Sequence, residues 1–307
     1  MQTPAFSPRS ARPDDLRPLA EFVARLNASP ENQCLFCAPA SPLGVRSALG
    51  DPGYFPGGWE HAFVLAAAPP ATEIVGVLGC QVAAHDPTGF LWGPGLENVP
   101  EAWSKLAPAL LTRLDGLLTR RITRLEAFLH ADNAAGLRFL TGQGFTLGPL
   151  THLYLAARAH WLSALPSEYP PLCEPLRPAH EVAFARLHAE TFPAHGTTPA
   201  AALLEGRGEE RAIFAATDGL RLLGSVVVSV NHAPREGFVE YLAVKPTARG
   251  RGLGRRLLRT AVHWTFELQR LPQLALTVSD WRGGARRLYE GSGFVLHASG
   301  RGARRAR

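Results

Sequence analysis

Two copies of one pattern follow each other along the chain, and this repeat limits the possible folds more than any other feature of the sequence. Gly89-Phe90 is repeated at Gly237-Phe238, an offset of 148 residues. Later, Gly144-Phe145 is repeated at Gly293-Phe294, an offset of 149 residues. Self-similarity at a fixed spacing indicates duplicated structural units. The 307 residues are therefore predicted to form two domains of about 150 residues each, and each is large enough for its own core.

The order of predicted elements is the same in both copies. Apolar periodicity indicates a helix, two or three antiparallel strands, a long helix, a strand, a short helix and a final strand. This order predicts an α+β fold in which each domain has a mixed, mostly antiparallel sheet flanked by helices. Composition divides the chain into a first domain, a proline-containing linker, a second domain and a basic tail, which span 1–158, 159–172, 173–300 and 301–307.

A glycine-rich turn in the second copy has the pattern of a phosphate site. From Val244 to Leu258 the chain reads V-K-P-T-A-R-G-R-G-L-G-R-R-L-L, a strand end, a turn and an amphipathic helix. Arg249, Gly252 and Gly254 have R-x-x-G-x-G spacing, which directs backbone N–H groups and the positive end of a helix toward one point. G-x-G stretches also make ordinary tight turns, but the helical spacing of the apolar residues that follow favours phosphate binding.

Three elements in this order resemble the GNAT superfamily of N-acetyltransferases. They are E-Y-L-A-V at 240–244, R-G-R-G-L-G at 249–254 and A-R-R-L-Y-E-G-S-G-F at 285–294. The repeat makes the layout similar to that of mycothiol synthase, in which two such domains share one chain. The resemblance implies two tandem GNAT-like domains and an acyl-CoA-dependent N-acyltransferase. Such an enzyme moves an acyl group, expected to be acetyl, from acetyl-CoA to a primary amine of a small molecule or peptide.

The resemblance also implies where acetyl-CoA binds. The pyrophosphate would lie on the N–H groups of the glycine-rich turn, and the pantetheine would lie as a strand-like arm along the end of the preceding strand. Many relatives have asparagine where this chain has Arg282, so the guanidinium could instead contact phosphate. The implied cofactor-binding residues are Leu242, Ala243, Val244, Arg249, Gly250, Arg251, Gly252, Leu253, Gly254, Arg255, Arg282 and Ala285.

Glu240 is a candidate general base. Side chains alternate along a strand with period two, which places Glu240 on the same face as Leu242 and Val244. A carboxylate in a partly dry cleft can take a proton from an ammonium group, directly or through water. A strand-surface glutamate is the other interpretation of this residue. His232 and Glu236 are also close in sequence, but both are expected in a solvated hairpin turn.

Tyr289 is a candidate general acid. It stands at the position where superfamily members commonly carry the tyrosine that protonates the CoA thiolate, and a tyrosine packed under the turn for structural reasons is the alternative. The amine acceptor is expected between the early helices and later loops of the second domain. His188, Phe192 and His195 lie in that part of the sequence, and none of them specifies an acceptor.

The first copy lacks the residues on which the predicted chemistry of the second copy depends. Trp92 stands at the place of the candidate base, and Leu140 stands at the place of the candidate acid. The segment E-A-W-S-K-L replaces the glycine-rich turn, with Glu101 where the second copy has its first loop arginine. A phosphate would meet a carboxylate there. The first domain is therefore predicted to be degenerate and non-catalytic.

Composition excludes several other classes of protein. The net charge is +6, but the arginines are scattered without interleaved aromatic residues, so no nucleic-acid partner is expected. No apolar run reaches about 18 residues, and the start has no secretory pattern, so we expect a cytoplasmic protein without a membrane partner. Cys34 and Cys37 form C-L-F-C, but no second ligand pair completes a zinc site, and no metal is expected.

One alternative function of a different class stays open. Both copies could have lost their chemistry, which would leave a non-catalytic protein that binds or senses acyl-CoA or acts as a scaffold. The presence of Glu240 and Tyr289 in the second copy favours an enzyme. Turnover with an amine acceptor would separate the two interpretations.

Overall fold

The computed structural model describes residues 7–36, 41–67, 74–82, 87–97, 100–163, 172–192, 197–231 and 235–307, and at 7, 100–102 and 162–163 it describes the backbone alone. None of the helices in these ranges combines the length and hydropathy that a membrane crossing needs. The predicted α+β class, with mixed and mostly antiparallel strands flanked by helices, is confirmed.

The described strands and helices include those expected from the two copies, in the expected order. The described strands are β1 (Ser7–Ser10), β2 (Phe63–Ala67), β3 (Ile74–Val82), β4 (Thr88–Leu96), β5 (Arg124–His130), β6 (Thr146–Ala157), β7 (Glu174–Pro175), β8 (Arg211–Asp218), β9 (Arg221–Asn231), β10 (Glu236–Val244), β11 (Gln273–Ser279) and β12 (Val295–Ala306). The described helices are α1 (Leu16–Asn27), α2 (Pro42–Leu49), α3 (Pro100–Leu117), α4 (Ala134–Gly142), α5 (Arg158–Ser163), α6 (Glu181–Thr191), α7 (Ala200–Glu205), α8 (Leu253–His263) and α9 (Gly283–Glu290).

The first compact unit comprises Met1–Thr151 together with Ala298–Arg307. Its strands lie in the order β1-β2-β3-β4-β5-β12. Neighbours from β1 to β4 are antiparallel, β4 and β5 are parallel, and β12 is antiparallel to β5. Helix α1 buries residues at helical spacing, such as Leu19, Phe22 and Val23, and this amphipathic pattern explains why the segment forms a surface helix.

The second compact unit comprises His152–His297. Its strands lie in the order β6-β11-β10-β9-β8-β7, with β10 and β11 parallel and the neighbours from β7 to β10 antiparallel. Two clusters cover the two faces of the sheet. We call the first the α8 core, which includes Leu257, Leu258 and Tyr289. We call the second the α6 core, which includes Phe184 of α6 and Leu203 of α7.

The two units do not divide the chain where composition divides it. The carboxyl-terminal half of β6, residues 152–157, belongs to the second unit, whereas residues 298–307 belong to the first. Within the segment predicted as a linker, residues 159–163 continue helix α5, and residues 164–171 lie outside the described ranges. Each unit thus contains a strand from the other half of the sequence, which no local composition signal indicates.

In the segment 301–307, expected as a basic tail, residues 301–306 instead form the end of β12. Their backbone pairs with β5 in a register that runs from Gly300 opposite His130 to Ala306 opposite Arg124. Asp115 of α3 accepts hydrogen bonds from Arg305 Nη2 at 2.9 Å and from Arg307 Nε at 3.2 Å. Strand pairing and charge pairing therefore hold a segment that its composition suggests would be solvated.

Removal of residues 301–307 should lower the free energy of unfolding by roughly 3 kcal/mol, because it removes several backbone hydrogen bonds of β5 and both partners of Asp115. Urea denaturation followed by circular dichroism measures the change. Arg304→Ala is the matched control, because Arg304 is exposed and its replacement keeps the strand. An unchanged denaturation midpoint after the deletion would show that the segment is a solvated tail.

Candidate active site

The site begins where two parallel strands of the second unit separate. Strands β10 and β11 pair only from Gly237 opposite Leu274 to Val239 opposite Leu276. Strand β10 continues to pair with β9 as far as Val244. Among the described residues, the β11 side of β10 therefore has no strand partner beyond Val239, which leaves backbone groups available to a ligand.

A β-bulge at Glu240 lies at this point of separation. Val239 pairs with Val228 and Tyr241 pairs with the adjacent Val227, so Glu240 is an extra residue in β10. Bulges re-aim side chains and are frequent next to active sites. The residues of β10 that pack in the α8 core are Val239, Leu242 and Val244. Those that pack in the α6 core are Tyr241 and Ala243.

The side chain of Glu240 does not have the predicted orientation, and the bulge is the reason. Its Oε1 accepts a hydrogen bond from Arg211 Nε at 2.8 Å, and the Arg211 guanidinium lies beside Gly206 at the end of α7. The carboxylate is therefore on the face of the α6 core, whereas Leu242 and Val244 are on the other face. The expectation of a shared face is wrong because the extra residue interrupts the alternation of side chains along β10.

The glycine-rich turn has the geometry expected of an anion site. Gly250 has φ 78° and Gly252 has φ 74°, a left-handed backbone that glycine adopts without strain. Gly252 is the N-cap of α8, which has neither a capping side chain nor an acidic residue in its first turn. Arg256 N–H donates to Gly252 O at 3.0 Å, and the preceding N–H groups of a first helical turn have no intrahelical acceptor.

Space around the turn is open on one side and tight on the other. A Cβ added at Gly250 or Gly252 would meet no heavy atom within 4 Å, so side chains do not fill the concave side. A Cβ at Gly254 would lie 3.1 Å from Leu288 Cδ2, and one at Gly224 would lie 2.7 Å from Ala243 O. These two glycines allow α8 to pack closely on α9 and allow β9 to approach β10.

Charge around the turn is positive. Arg249, Arg251 and Arg255 are exposed, and Arg249 Nε donates to Val244 O at 3.3 Å. Leu253 is half-buried and packs against the α8 core, so it anchors the first turn of the helix. The predicted phosphate-binding segment therefore combines free N–H groups, a helix N-terminus and arginines around one open concavity.

Tyr289 lies in the α8 core near the end of α9. The residue is 7% exposed, and its ring centroid is 6.3 Å from that of Tyr154 and 6.2 Å from that of Phe294. Burial raises the pKa of Tyr289 to about 12, although the nearby charge of Arg282 opposes the change. The phenol therefore keeps its proton at neutral pH, as a general acid must before it donates.

Arg282 lies between the start of α9 and the end of α6. Its guanidinium carbon is 4.7 Å from the ring centroid of Trp281 and 5.6 Å from that of Phe192. Such distances are typical of cation–π contacts. Ala285 is half-buried against the α8 core one turn further along α9. The guanidinium thus reaches from the α8 side of the second unit to the α6 side.

An aromatic cluster occupies the α6 side next to Glu240. The His188 ring is 4.7 Å from the Tyr241 ring and 5.2 Å from the Phe192 ring. His188 Nε2 donates to Thr198 O at 2.9 Å, and Tyr241 Oη accepts from Thr198 N at 2.9 Å. Burial lowers the pKa of His188. The sequence indicated His188 and Phe192 but not Tyr241. Tyr241 shares a face of β10 with the preceding residue, Glu240, only because of the bulge.

A polar network on α9 was not indicated by the sequence. His152 Nε2 lies 3.0 Å from Asp280 Oδ1, and Arg286 Nη1 donates to the same oxygen at 2.9 Å. Tyr154 Oη donates to Glu290 Oε1 at 2.7 Å and accepts from Arg286 Nε at 3.4 Å. The hydrogen bond to His152 is the largest of the effects that lower the pKa of Asp280.

Glu236 is buried rather than solvated. It is 8% exposed at the start of β10, and its Oε2 accepts a hydrogen bond from Gln273 Nε2 at 2.6 Å. Burial raises the pKa of Glu236. The expectation of a solvated turn is wrong for this residue because β10 begins here, beside the first residue of β11. His232 and His195 lie outside the described residues.

The positions that correspond to the catalytic candidates are packed in the first unit. Trp92 is 3% exposed, and its Nε1 donates to Gln81 Oε1 at 3.2 Å. Leu140 is fully buried. The side chain of Glu101 lies outside the described part of the structure. Two of the three corresponding positions are thus built into the core of this unit.

The first unit also fills the gap between its own parallel strands. Strands β4 and β5 pair only from Thr88 to Phe90. Beyond that point, Leu35 N donates to Phe128 O at 2.7 Å, and His130 N donates to Gln33 O at 3.1 Å. Cys34 Sγ lies 3.5 Å from Leu91 O, so a short stretch of the chain contacts both separating strands.

Within the described ranges, no group of three or more potential metal ligands occurs.

Comparisons with known proteins agree with this geometry. The model of the Acetyltransferase (GNAT) family matches residues 181–294. No curated protein sequence matches the chain. A GCN5-related N-acetyltransferase from Sphaerobacter thermophilus has a similar structure, with a TM-score of 0.66, 17% identity and coverage of 98% of this chain and 95% of that one.

Two further solved structures match along nearly the whole chain. A tandem GNAT protein from the clavulanic acid biosynthesis pathway has a TM-score of 0.55 at 14% identity, with 99% of this chain and 98% of that chain covered. A protein from Pyrococcus horikoshii, described as a putative acetyltransferase, has a TM-score of 0.55 at 13% identity, with 100% of this chain and 91% of that chain covered.

Residues 181–294 therefore match the Acetyltransferase (GNAT) family model. The chain as a whole has the tandem GNAT fold, and the resemblance found in the sequence is confirmed.

Glu236→Gln should stabilise the protein at neutral pH by on the order of 1 kcal/mol, because a buried carboxylate is replaced by a neutral acceptor. The raised pKa of Glu236 means that its stabilising contribution is complete below the ordinary carboxyl value and is lost as pH rises through the folded-state value. Urea midpoints at pH 7 and pH 4 measure this, and the exposed Glu205→Gln is the control. A variant that is less stable at pH 7 would contradict it.

Proposed function

We propose that the protein is an acyl-CoA-dependent N-acyltransferase that moves an acetyl group to a primary amine of a small molecule or peptide. One active site, in the second unit, would perform the reaction. The observation that supports this most is the open glycine-rich turn at the start of α8, next to the point where β10 and β11 separate. Acetyl-CoA supplies the activated acetyl thioester, and no metal is proposed.

The turn and the strand edge suit the two ends of a CoA molecule. The N–H groups of residues 250–255 would bind the pyrophosphate, with the exposed Arg249, Arg251 and Arg255 around it. The backbone of Leu242, Ala243 and Val244, which lies beyond the pairing of β10 with β11, would bind the pantetheine by main-chain hydrogen bonds. Open space at Gly250 and Gly252 fits this assignment, since no side chain obstructs an anion there.

Glu240 would accept the proton that the acceptor ammonium must lose before it attacks. The ion pair with Arg211 fixes the carboxylate at the bulge, on the face where His188, Phe192 and Tyr241 form a partly apolar wall. We propose that the acceptor amine approaches from this face. Proton transfer at a positioned carboxylate, directly or through one water, is ordinary general base catalysis.

Tyr289 would give its proton to the departing thiolate from the opposite face of β10. It packs in the α8 core with Leu242 and Val244, whose backbone would hold the pantetheine. The pKa of about 12 keeps the phenol protonated at neutral pH, so a proton is available when the thiolate departs. Arg282 would sit between the two sides and contact the cofactor, with Ala285 packed behind it.

We propose that the first domain, residues 1–158, is non-catalytic and that residues 173–300 hold the working site. The contacts of residues 33–35 with β4 and β5 support this, because they occupy the region that corresponds to the proposed pantetheine edge. The buried Trp92 and Leu140 also support it, since neither can act as base or acid there.

A non-catalytic acyl-CoA-binding protein is the second candidate, and one observation favours it. The carboxylate of Glu240 is already paired with Arg211, at 2.8 Å, so it would have to act as a base while it keeps an ionic partner. Such a protein would bind acetyl-CoA at the same turn but would release no CoA with any amine.

The turn can be tested by a change of charge without a change of shape. Gly252→Asp should weaken acetyl-CoA binding at least tenfold, because it places a carboxylate beside the pyrophosphate. Gly252→Asn, its neutral match, should bind within a few-fold of wild type, since a Cβ at this position meets no atom and asparagine tolerates left-handed backbone. Calorimetry measures both, with about one site per chain expected in the wild type.

The outcomes of this titration are distinct. Equal weakening by both substitutions would mean that the backbone at residue 252, and not an anion beside it, controls binding. Absence of binding to the wild-type protein would overturn the acyltransferase proposal and the acyl-CoA-binding alternative together. Two sites per chain would show that the first unit still binds acetyl-CoA, which would contradict the support that residues 33–35 give to a non-catalytic first domain.

Tyr289→Phe should keep the affinity for acetyl-CoA and lower kcat by roughly 10- to 100-fold, because only the donated proton is removed. Thiol detection of released CoA, with an amine found by an acceptor screen, measures turnover. Tyr54→Phe in the first unit is the control for loss of a tyrosine hydroxyl elsewhere. Unchanged turnover in Tyr289→Phe would remove this residue as the acid.

A further inference from the structure

We propose that Tyr154, on the strand β6 that precedes the second copy, is a positioning residue for Tyr289. The inference rests on the proposed function, in which Tyr289 is the general acid. Tyr154 is fully buried in the α8 core, and its ring centroid lies 6.3 Å from that of Tyr289. Its hydroxyl donates at 2.7 Å to Oε1 of Glu290, the residue that follows Tyr289 along α9.

Helix α9 needs such support because little in its own sequence fixes it. It has eight residues, begins with Gly283 and Gly284, and has no side-chain hydrogen bond at its N-cap. Short helices are marginal by themselves, and glycine lowers helix stability by about 1 kcal/mol relative to alanine. The orientation of Tyr289 therefore depends on what α9 contacts.

Strand β6 contacts α9 and also the turn that precedes the helix. Tyr154 reaches the last turn through Glu290 and accepts from Arg286 Nε at 3.4 Å. His152, two residues earlier and so on the same face of β6, lies 3.0 Å from Asp280 Oδ1. Arg286 Nη1 donates to that oxygen at 2.9 Å, which joins both contacts into one network.

The network contacts the ring of Tyr289 and the last turn of α9, which carries this residue. The Tyr154 ring limits the tilt of the Tyr289 ring, and the hydrogen bond to Glu290 fixes the last turn of α9. Loss of the hydroxyl of Tyr154 would leave the ring contact in place but free that turn. Tyr289 would then become more hydrated and less precisely aimed, without any change at the glycine-rich turn.

A purely structural tyrosine at position 154 would behave differently. It would stabilise the fold, and its loss would reduce turnover by the same factor whether residue 289 is tyrosine or phenylalanine. A positioning residue affects turnover only while Tyr289 is present. Double-mutant cycles separate these cases, since residues that act through one another are not additive.

The first test does not need an acceptor amine. The chain has five tyrosines, so ¹³C labelling of the tyrosine ζ carbon gives a spectrum that single Tyr→Phe variants can assign. We expect Tyr289 to titrate near a pKa of about 12 in the wild type. In Tyr154→Phe its pKa should fall toward the ordinary value of about 10, because water then reaches the phenol more easily. The control is Tyr241→Phe, which removes a hydroxyl on the other face of the sheet and should leave Tyr289 unchanged.

Variants at Glu290 test the same link from the other end. Glu290→Gln keeps an oxygen that accepts from Tyr154, so Tyr289 should titrate as in the wild type. Glu290→Ala removes the acceptor and should reproduce the change seen in Tyr154→Phe. An unchanged Tyr289 titration in both Tyr154→Phe and Glu290→Ala would overturn the proposal.

The second test uses turnover, measured as CoA release from acetyl-CoA with an amine from the acceptor screen. Tyr154→Phe should lower kcat about 3- to 10-fold and leave the KM for acetyl-CoA within twofold. In the Tyr289→Phe background, Tyr154→Phe should cause no further loss. An equal loss in both backgrounds would show a structural role and overturn the proposal.

Failure of the proposed function gives a different result. If the wild-type protein neither binds acetyl-CoA nor releases CoA, the acyltransferase proposal falls, but the titration of Tyr289 still decides whether Tyr154 controls its environment. If the wild type is active and Tyr289→Phe is equally active, there is no acid for Tyr154 to position. The inference then falls and the acyltransferase proposal stands.

Discussion

The extra residue in β10 is the constraint on which the proposed site depends. Because β9 pairs with β10 on both sides of Glu240, the strand cannot straighten, and because pairing with β11 ends at Val239, the strand edge beyond it stays available. The same residue turns Glu240 toward the α6 core and leaves Leu242 in the α8 core. One local irregularity thus separates a proposed acceptor side from a proposed cofactor side.

The two units show what the same topology becomes with and without an open edge. In the second, the backbone beyond the parallel pairing has no strand partner among the described residues, and the adjoining helix begins at a bare glycine. In the first, residues 33–35 hydrogen bond to β5, and a buried tryptophan occupies the position of the glutamate. The first unit therefore keeps the fold, but its backbone groups at this position hydrogen bond to its own residues and are not available to a ligand.

Local sequence was sufficient for the fold class and the repeat, because apolar spacing is visible in the sequence, and for the glycine-rich turn, because glycine permits the left-handed backbone found at Gly250 and Gly252. It was insufficient for the face of Glu240, because a bulge depends on pairing with β9. It also missed the burial of Glu236 and the role of residues 301–307 as a strand, because both depend on a partner strand elsewhere in the chain. The sequence gave no indication of the roles of His152 and Tyr154, because the end of β6 belongs to the second unit although it lies in the segment predicted as the first domain.

The placement of residues 300–306 beside β5 has a consequence for synthesis on the ribosome. Strand β5 ends at His130, but its antiparallel neighbour is translated about 170 residues later. At elongation rates of about 5 to 20 residues per second, the growing chain carries an open strand edge there for roughly 10 to 30 s. Such an edge invites pairing with other chains. The edge of β5 therefore stays exposed until β12 has been translated. Conditions that slow translation should favour misassembly over native folding.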